Sequence, residues 1–463
     1  MSEYLNTIKK KKSLHLLFCL LLFIFLLQCR KENDNSNPDS LTEEFLPAFP
    51  GAEGFGSKTK GGREGKVIEV TNLYPDGPGS FRDACQTTGP RIIVFRTGGI
   101  IKVNKPIIIK SPWVTIAGQT APGDGICIQG ADLIIATHDV IVRGLRVRVG
   151  DSPDDPDAEG RDGIEITNYN FPPYNVIVDH CSVSWAIDEN MTTWYPCRDI
   201  TFQWCITSEA LDASLHPKGP HSKGMLIGPG ADGISIHHNL FAHNVERNPL
   251  VSVDTKSEIV NNVIYNWRSR GLNLGNCYPE HSEKSDVIGN YFIKGPNSNN
   301  LPFQISDCWK NSMVYVRGNL GPGRLTDDVD EWMIVRNDVG LQIKASEPVI
   351  ESFMKTYHPA LTAYQLVLEK AGAILPQRDI IDSRIINDVK NRTGRIIDSQ
   401  NEVGGWPVYN PGTPPSDNDH DGMPNDWEIK NGLNPDFYTD RLYIDLSPEG
   451  YTNIEVYING LFN

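Results

Sequence analysis

The sharpest chemical spacing in this chain lies near its C-terminus. Asp417-Asn418-Asp419-His420-Asp421-Gly422 is followed by Glu428 at the twelfth place. This matches the D-x-[DN]-x-[DN]-G-x5-E calcium loop, in which alternating carboxylates converge on a hard cation, glycine permits the turn and glutamate closes the shell. No paired EF-hand accompanies it, so the reading is an isolated extracellular calcium loop with Asp417, Asp419, Asp421 and Glu428 as ligands. The alternative is an acidic turn capping a helix that starts near Pro424. A second set of charges lies in the middle of the chain: Asp162 in RDGIEI, Asp188 in WAIDE, Lys223 in KGMLIG and Arg247 in ERNP. Each alone reads as a solvated surface charge. Their common placement beside short apolar runs points to a mixed-charge cleft.

Those runs are the elements that must position the charges. IVRGLRV from Ile141, VIVDHCSV from Val176, ITFQWCIT from Ile200, ISIHHNLF from Ile234, IVNNVIYN from Ile259 and VIGNYFIK from Val287 alternate as strands do. They recur roughly every 24 to 35 residues, a solenoid period. Such a unit buries its apolar face only by stacking on its neighbours. Gly144, Cys181, Cys205, Asn239, Asn262, Asn290 and Asn319 fall in one inner column, and the asparagines suggest an amide ladder between parallel coils. Stacked coils lie about 4.8 Å apart, so residues at equal offsets line up on one face. The expected fold is an all-β solenoid, a parallel β-helix with short C-terminal helices. Further strands are expected at Val67–Val70, Arg91–Phe95, Ile100–Val103, Ile107–Ile109 and Val114–Ala117. Residues 150–175 and 208–223 are read as loops thrown off one face. Helices are expected after the Ser80 cap, over Leu361–Ala373 and over Arg378–Thr393.

With 463 residues and a formal net charge of −15, the chain lacks the basic footprint of a nucleic-acid binder. Lys9–Lys12 followed by the apolar stretch Leu14–Leu27 reads as a signal segment, too short for a comfortable membrane span. Cys29 at its end is similar to a bacterial lipidation site, against the alternative of an ordinary signal peptide cut nearby. The expected organisation is a signal peptide over 1–28, a flexible tether over 29–46, a β-helix catalytic domain over 47–345, a helical extension over 346–410 and the calcium-loop segment over 411–463. The protein is expected to be secreted, as an outer-membrane or cell-surface lipoprotein of a bacterium, with a membrane contact only through Cys29. Cys181 and Cys205 read as buried small hydrophobes, and pairing of Cys277 with Cys308 is left open. The glycine-rich stretch 51–65 lacks the GK[ST] of a phosphate loop.

The chain resembles the extracellular pectate lyases of the polysaccharide lyase family 1 type. The likeness runs from about Phe49 to Pro407 and includes GAEGFG, GGREGKV, GPGSFRDA, RIIVF, the DG-I-x-I run at Asp162, VDH at Val178, IHHNLF at Ile236, R-x-P at Arg247 and VNNVIYNW at Val260. The resemblance implies a right-handed parallel β-helix and calcium-assisted β-elimination on α-1,4-galacturonan. Its substrate would be polygalacturonate or pectin, its cofactor Ca²⁺ and its working state a monomer. It implies that Asp162 and Asp188 are calcium ligands, that Lys223 meets the substrate carboxylate and that Arg247 is the base. The chain departs from the family at three places. Ser184 stands where a further acidic ligand is frequent, Ser252 where a second arginine is, and Asn190 where a second substrate-binding lysine is. Glu189, or the cluster Asp154, Asp155 and Asp157, is the candidate compensation.

An arginine base starts from a pKa of about 12.5 or above, so an alkaline optimum is expected. Arg143, Arg146, Arg148, Lys218 and Arg270 are candidate cations for an acidic polymer. Two other functions remain open: a galacturonan hydrolase, which needs a carboxylate set that is not found, and a pectin-binding β-helix without catalysis.

Overall fold

The computed structural model describes residues 45–153, 158–275, 282–306, 311–336 and 343–462. The signal segment, Cys29, nearly all of the tether, Asp154, Asp155, Asp157, Cys277 and Cys308 lie outside the described residues. From Leu46 onward the chain is one compact unit.

The alternating runs build three parallel sheets. The first has ten strands, from Lys66–Val70 to Met313–Arg317. It contains the first part of every repeat run, stacked in register: Val176 faces Ile200, and Ile200 faces Ile234. The second and third sheets have eight strands each. The chain passes from first to third to second sheet and climbs one coil per circuit, which makes a parallel β-helix. Isoleucine, valine and leucine from all three sheets fill one continuous core along the axis, including Val142 and Ile236 of the first, Leu133 and Ile166 of the second and Ile128 and Val183 of the third. The expected strands at Arg91–Phe95, Ile107–Ile109 and Val114–Ala117 form with those bounds. Residues 150–175, expected as a loop, are not a plain loop, because Ile164–Thr167 is a second-sheet strand between Leu133–Ile135 and Glu189–Trp194.

From the strand Val140–Arg143 onward, the turn from first to third sheet takes two residues. Its first residue is left-handed in each coil: Gly144 (φ 67°), His180 (47°), Trp204 (52°), His238 (55°), Asn261 (56°) and Gly289 (63°). Its second residue points into the core. The inner column is therefore Leu145, Cys181, Cys205, Asn239, Asn262, Asn290 and Asn319, and Gly144 belongs to the corner instead. The amide ladder forms as expected. Asn239 Nδ2 donates to Asn262 Oδ1 at 3.0 Å, Asn262 Nδ2 to Asn290 Oδ1 at 3.0 Å, and Asn290 Nδ2 to Asn319 Oδ1 at 2.8 Å. Each Oδ1 also accepts the backbone N–H of the preceding rung.

Among the described residues five α-helices lie outside the coils: α1 (Phe81–Gln86), α2 (Ala360–Lys370), α3 (Ile380–Asn391), α4 (Asn425–Asn431) and α5 (Asn453–Gly460). Ser80 caps α1 by accepting from Asp83 N at 3.2 Å. Val367, Leu368, Ile385, Ile386 and Val389 of α2 and α3 pack on Ile206, Leu240, Val263 and Tyr265 of the third sheet. The segment containing α4 and α5 packs on the outer face of the first strands of the first sheet. Both of those sheets are thus covered in part by C-terminal chain.

Candidate active site

Asp162, Asp188, Lys223 and Arg247 converge at the start of the second-sheet strands. Register decides how. Glu189 pairs with Lys223, and Lys223 bridges to Glu246. Asp162 precedes Ile164 by two residues, and Ile164 pairs with Met191, two beyond Glu189. One column therefore reads Asp162, Glu189, Lys223, Glu246, with charge changing sign along it. Asp188 and Arg247 flank it, each one residue away. The equal-offset expectation is corrected by one residue here: Glu189, not Asp188, stacks directly on Lys223.

The loop before Asp162 is pinned by Arg161, which donates to the carbonyls of Gly150 at 3.2 Å and Ser152 at 3.1 Å. The Arg161 carbonyl in turn accepts the N–H groups of Ile187 and Asp188 at 3.1 and 3.2 Å. Asp162 Oδ1 accepts Glu189 N at 2.7 Å. These bonds set carboxylate oxygens of Asp162, Asp188 and Glu189 within 4.8 Å of one another. Burial first, then the neighbouring charges of Asp132, Asp188 and Glu165, push the Asp162 carboxyl well above its ordinary range. Burial also raises Glu165 beside it, to about 7. Such a set of crowded oxygen donors fits a hard divalent cation.

Arg247 holds a left-handed backbone (φ 59°) and ion-pairs with Glu189. Its Nε is buried without a hydrogen-bond partner. Burial lowers its pKa, while Asp188 and Asp162 oppose that shift. Lys223 Nζ lies 2.5 Å from Glu246 Oε1, and Ser269 Oγ donates to Glu246 Oε2 at 3.0 Å. Burial works against the Glu246 carboxylate, but Lys223, Ser269 and Arg270 together hold it below its usual range.

The three departures are all buried. Ser184 is fully buried on the third sheet and accepts from Arg148 Nη1 at 2.6 Å. Asn190 bonds Ala186 N, the Ser208 carbonyl and Asn244 Oδ1. Ser252 is buried, and its carbonyl accepts from Thr255 Oγ1 at 2.8 Å. The third carboxylate near Asp162 and Asp188 is Glu189.

Sequence reasoning missed two histidines. His216 and His221 stand on the 208–223 loop, their rings stacked 3.8 Å apart. His221 Nε2 lies 2.7 Å from Asp188 Oδ1, and His216 Nε2 lies 3.9 Å from Oδ2. The loop is held by Leu211 N to the Ala186 carbonyl and by Asp212 N to the Ile397 carbonyl. Burial first, then His221, lowers the pKa of His216.

Three of the candidate polymer-binding cations face away from this cleft. Arg143 pairs with Asp179 at 2.7 Å and stacks on Phe49 and Phe462. Arg146 and Arg148 are fully buried on the third sheet, beside Asp379, with Asp382 also 2.8 Å from Arg148. Lys218 is exposed and lies 2.9 Å from Glu159. The C-terminal motif forms a separate cluster: Asp419, Asp421 and Glu428 meet Asp440 within 4.8 Å, and Asp417 stands beside them.

No family model matches the chain. A protein of Neosartorya fischeri named probable pectate lyase C is 36% identical to it over 423 residues, 90% of this chain and 94% of that protein. The chain belongs to the pectate lyase family. It is a polysaccharide lyase by that membership. Two solved structures are similar in fold. The cedar pollen allergen Jun a 1 matches with a TM-score of 0.51 at 18% identity, over 73% of this chain and 96% of that one. A thermostable pectate lyase, PL 47, matches with a TM-score of 0.51 at 16% identity, over 72% of this chain and 99% of that one. Both likenesses concern the β-helix fold.

Proposed function

We propose that this pectate lyase cleaves α-1,4-galacturonan by β-elimination in the cleft of Asp162, Asp188, Glu189, Lys223 and Arg247. The observation that carries the reading is the convergence of three carboxylates with Arg247 at one end of the second sheet. The proton on C5 of a galacturonate is α to a carboxylate and weakly acidic. Arg247 is the group that removes it, and its burial favours the neutral guanidine that this requires. Lys223 supplies fixed positive charge where the carboxylate develops enolate character. Glu246 holds the Lys223 ammonium in place. A calcium ion held by Asp162, Asp188 and Glu189 would take over the charge that Arg247 otherwise gives Glu189 and draw electron density from the substrate carboxylate. Removal of the C5 proton and departure of the 4-O-linked sugar leave a C4–C5 double bond.

Polygalacturonate incubated at alkaline pH with calcium is the test. Unsaturated product should absorb in the ultraviolet, and chelator should abolish it. Reducing ends without absorbance would identify a hydrolase, and polymer binding without any product would identify a binding protein.

We also propose that the segment over 1–28 exports the protein and that Cys29 is acylated. The order of basic residues, apolar stretch and cysteine supports this. Replacing Cys29 by serine should move the protein to the soluble fraction, and membrane retention would refute the anchor.

A further inference from the structure

The C-terminal carboxylate cluster has no part in the cleft chemistry, yet all of it but the half-buried Asp419 is buried. Asp421 and Glu428 are 0% exposed, Asp440 4% and Asp417 7%. Backbone N–H groups satisfy one oxygen of several of these side chains. Gly422 donates to Asp417 Oδ2, Asp421 to Asp419 Oδ1, Met423 to Asp421 Oδ1 and Asn434 to Asp440 Oδ2. The remaining oxygens, Asp417 Oδ1, Asp419 Oδ2, Asp421 Oδ2, both of Glu428 and Asp440 Oδ1, are buried without a hydrogen-bond partner. Asp419, Asp421, Glu428 and Asp440 each turn an oxygen into a common space no wider than 4.8 Å. Arg96 approaches only the outer oxygen of Asp417, at 3.9 Å, and is itself engaged by Glu69 at 3.3 Å and the Pro415 carbonyl. Buried carboxylates left without a partner are strongly disfavoured, so this geometry calls for a cation.

We propose that a calcium ion binds here, that Asp440 is a ligand from outside the loop, and that the ion fastens the C-terminal arm to the first turn of the β-helix. The donors are all oxygens, which selects a hard cation. Magnesium keeps several waters and does not favour an all-protein cage, whereas calcium accepts six to eight oxygens in flexible geometry. The fastening follows from what surrounds the ligands. Met423, one residue past the loop glycine, is fully buried with Ile454 and Ile458 against Ile92, Val94 and Ala117. His420 lies 2.9 Å from Glu69, and Arg63 lies 2.8 Å from Glu455. Asp440 opens a turn in which Arg441 donates to the Gly65 carbonyl at 3.2 Å, and its own carbonyl accepts Asn453 Nδ2 at 2.9 Å. One ion thereby joins the loop, the Asp440 turn and, through Asn453, the start of α5.

The test uses the full mature protein with Asp162→Asn, Asp188→Asn and Glu189→Gln, so that the cleft keeps none of its three carboxylates, and titrates calcium alone after exhaustive chelation. One equivalent should bind, with a Kd at or below the 10⁻⁴–10⁻³ M of extracellular modules. At 100 times Kd the folded arm is favoured about 100-fold, so the thermal midpoint rises and protease cleavage within 411–463 slows. Asp440→Asn, which keeps the Asn434 bond, and Glu428→Gln should each weaken binding at least about 10-fold. No calcium bound up to about 10 mM would overturn the site. Undiminished binding in Asp440→Asn would remove Asp440 from it. Binding with no change in midpoint or protease sensitivity would overturn the fastening. The cleft reading is untouched by any of these results.

Discussion

Arg247→Lys separates two accounts of the base by sign as well as size. If only the free-base fraction mattered, lysine would be the better base. Its ordinary pKa of about 10.4 against about 12.5 for arginine makes it about 10²-fold more deprotonated at pH 9. If geometry matters, the loss of a planar guanidinium should cost at least about 10²-fold in turnover, the low end for general-base catalysis, or about 2.7 kcal/mol. The two outcomes differ by about four orders of magnitude. The structure favours the loss. Arg247 leaves the backbone from a left-handed residue and reaches across the Lys223 coil to Glu189, two coils away. Lysine keeps the charge, so folding should survive, with a thermal midpoint near that of the unsubstituted protein. Galacturonan binding should change far less than turnover, because the interaction is realised in the transition state. The assay is initial rate of unsaturated product against substrate and calcium for each form. Near-normal or increased turnover in Arg247→Lys would remove Arg247 from the mechanism.

Three further outcomes follow from the geometry. Glu189→Gln should raise the calcium concentration needed for half-maximal activity by about 10- to 100-fold while leaving turnover at saturating calcium within about tenfold; an unchanged calcium requirement would show that Glu189 only holds Arg247. Asn262→Ala removes a rung of the amide ladder and strands Asn239 N and the Ile236 carbonyl, so urea unfolding should register a loss of about 2–4 kcal/mol, and a loss under about 1 kcal/mol would contradict the ladder's importance. Glu258, buried against Ser235 and Ser352, has its pKa raised from 4.5 to about 7, mainly by burial. A raised folded pKa means that its contribution to stability is full below pH 4.5 and is lost as pH rises through 7. Glu258→Gln should therefore match the unsubstituted protein near pH 4 and exceed it by up to about 3 kcal/mol at pH 8; equal stability at both would refute that burial cost.

The sequence made the coils readable because each coil repeats the same inward pattern, and the asparagine column carries its hydrogen bonds in that pattern. The one-residue error at Gly144 arose because glycine marks the left-handed corner, while Leu145 fills the column. The strand Ile164–Thr167 was hidden in an apparent loop because its coil begins with a long excursion after Arg148. Asp162, Asp188, Lys223 and Arg247 were legible by their motifs, but which carboxylate stacks on Lys223 depends on register, and there a single residue decides between Asp188 and Glu189. His216, His221 and Asp440 reach their clusters only through tertiary packing of loops, for which no local spacing exists. Arg143, Arg146 and Arg148 read as surface cations because the acids that bury them, Asp179, Asp379 and Asp382, come largely from distant parts of the chain.

The most direct measurement of the central claim follows the C5 hydrogen. Oligogalacturonate deuterated at C5 should be cleaved more slowly than the protonated form, and the ring that becomes unsaturated should have lost its deuterium. Product that retains deuterium at C5 on every ring would mean that the glycosidic bond is broken without removing that proton, and the β-elimination account of this cleft would be wrong.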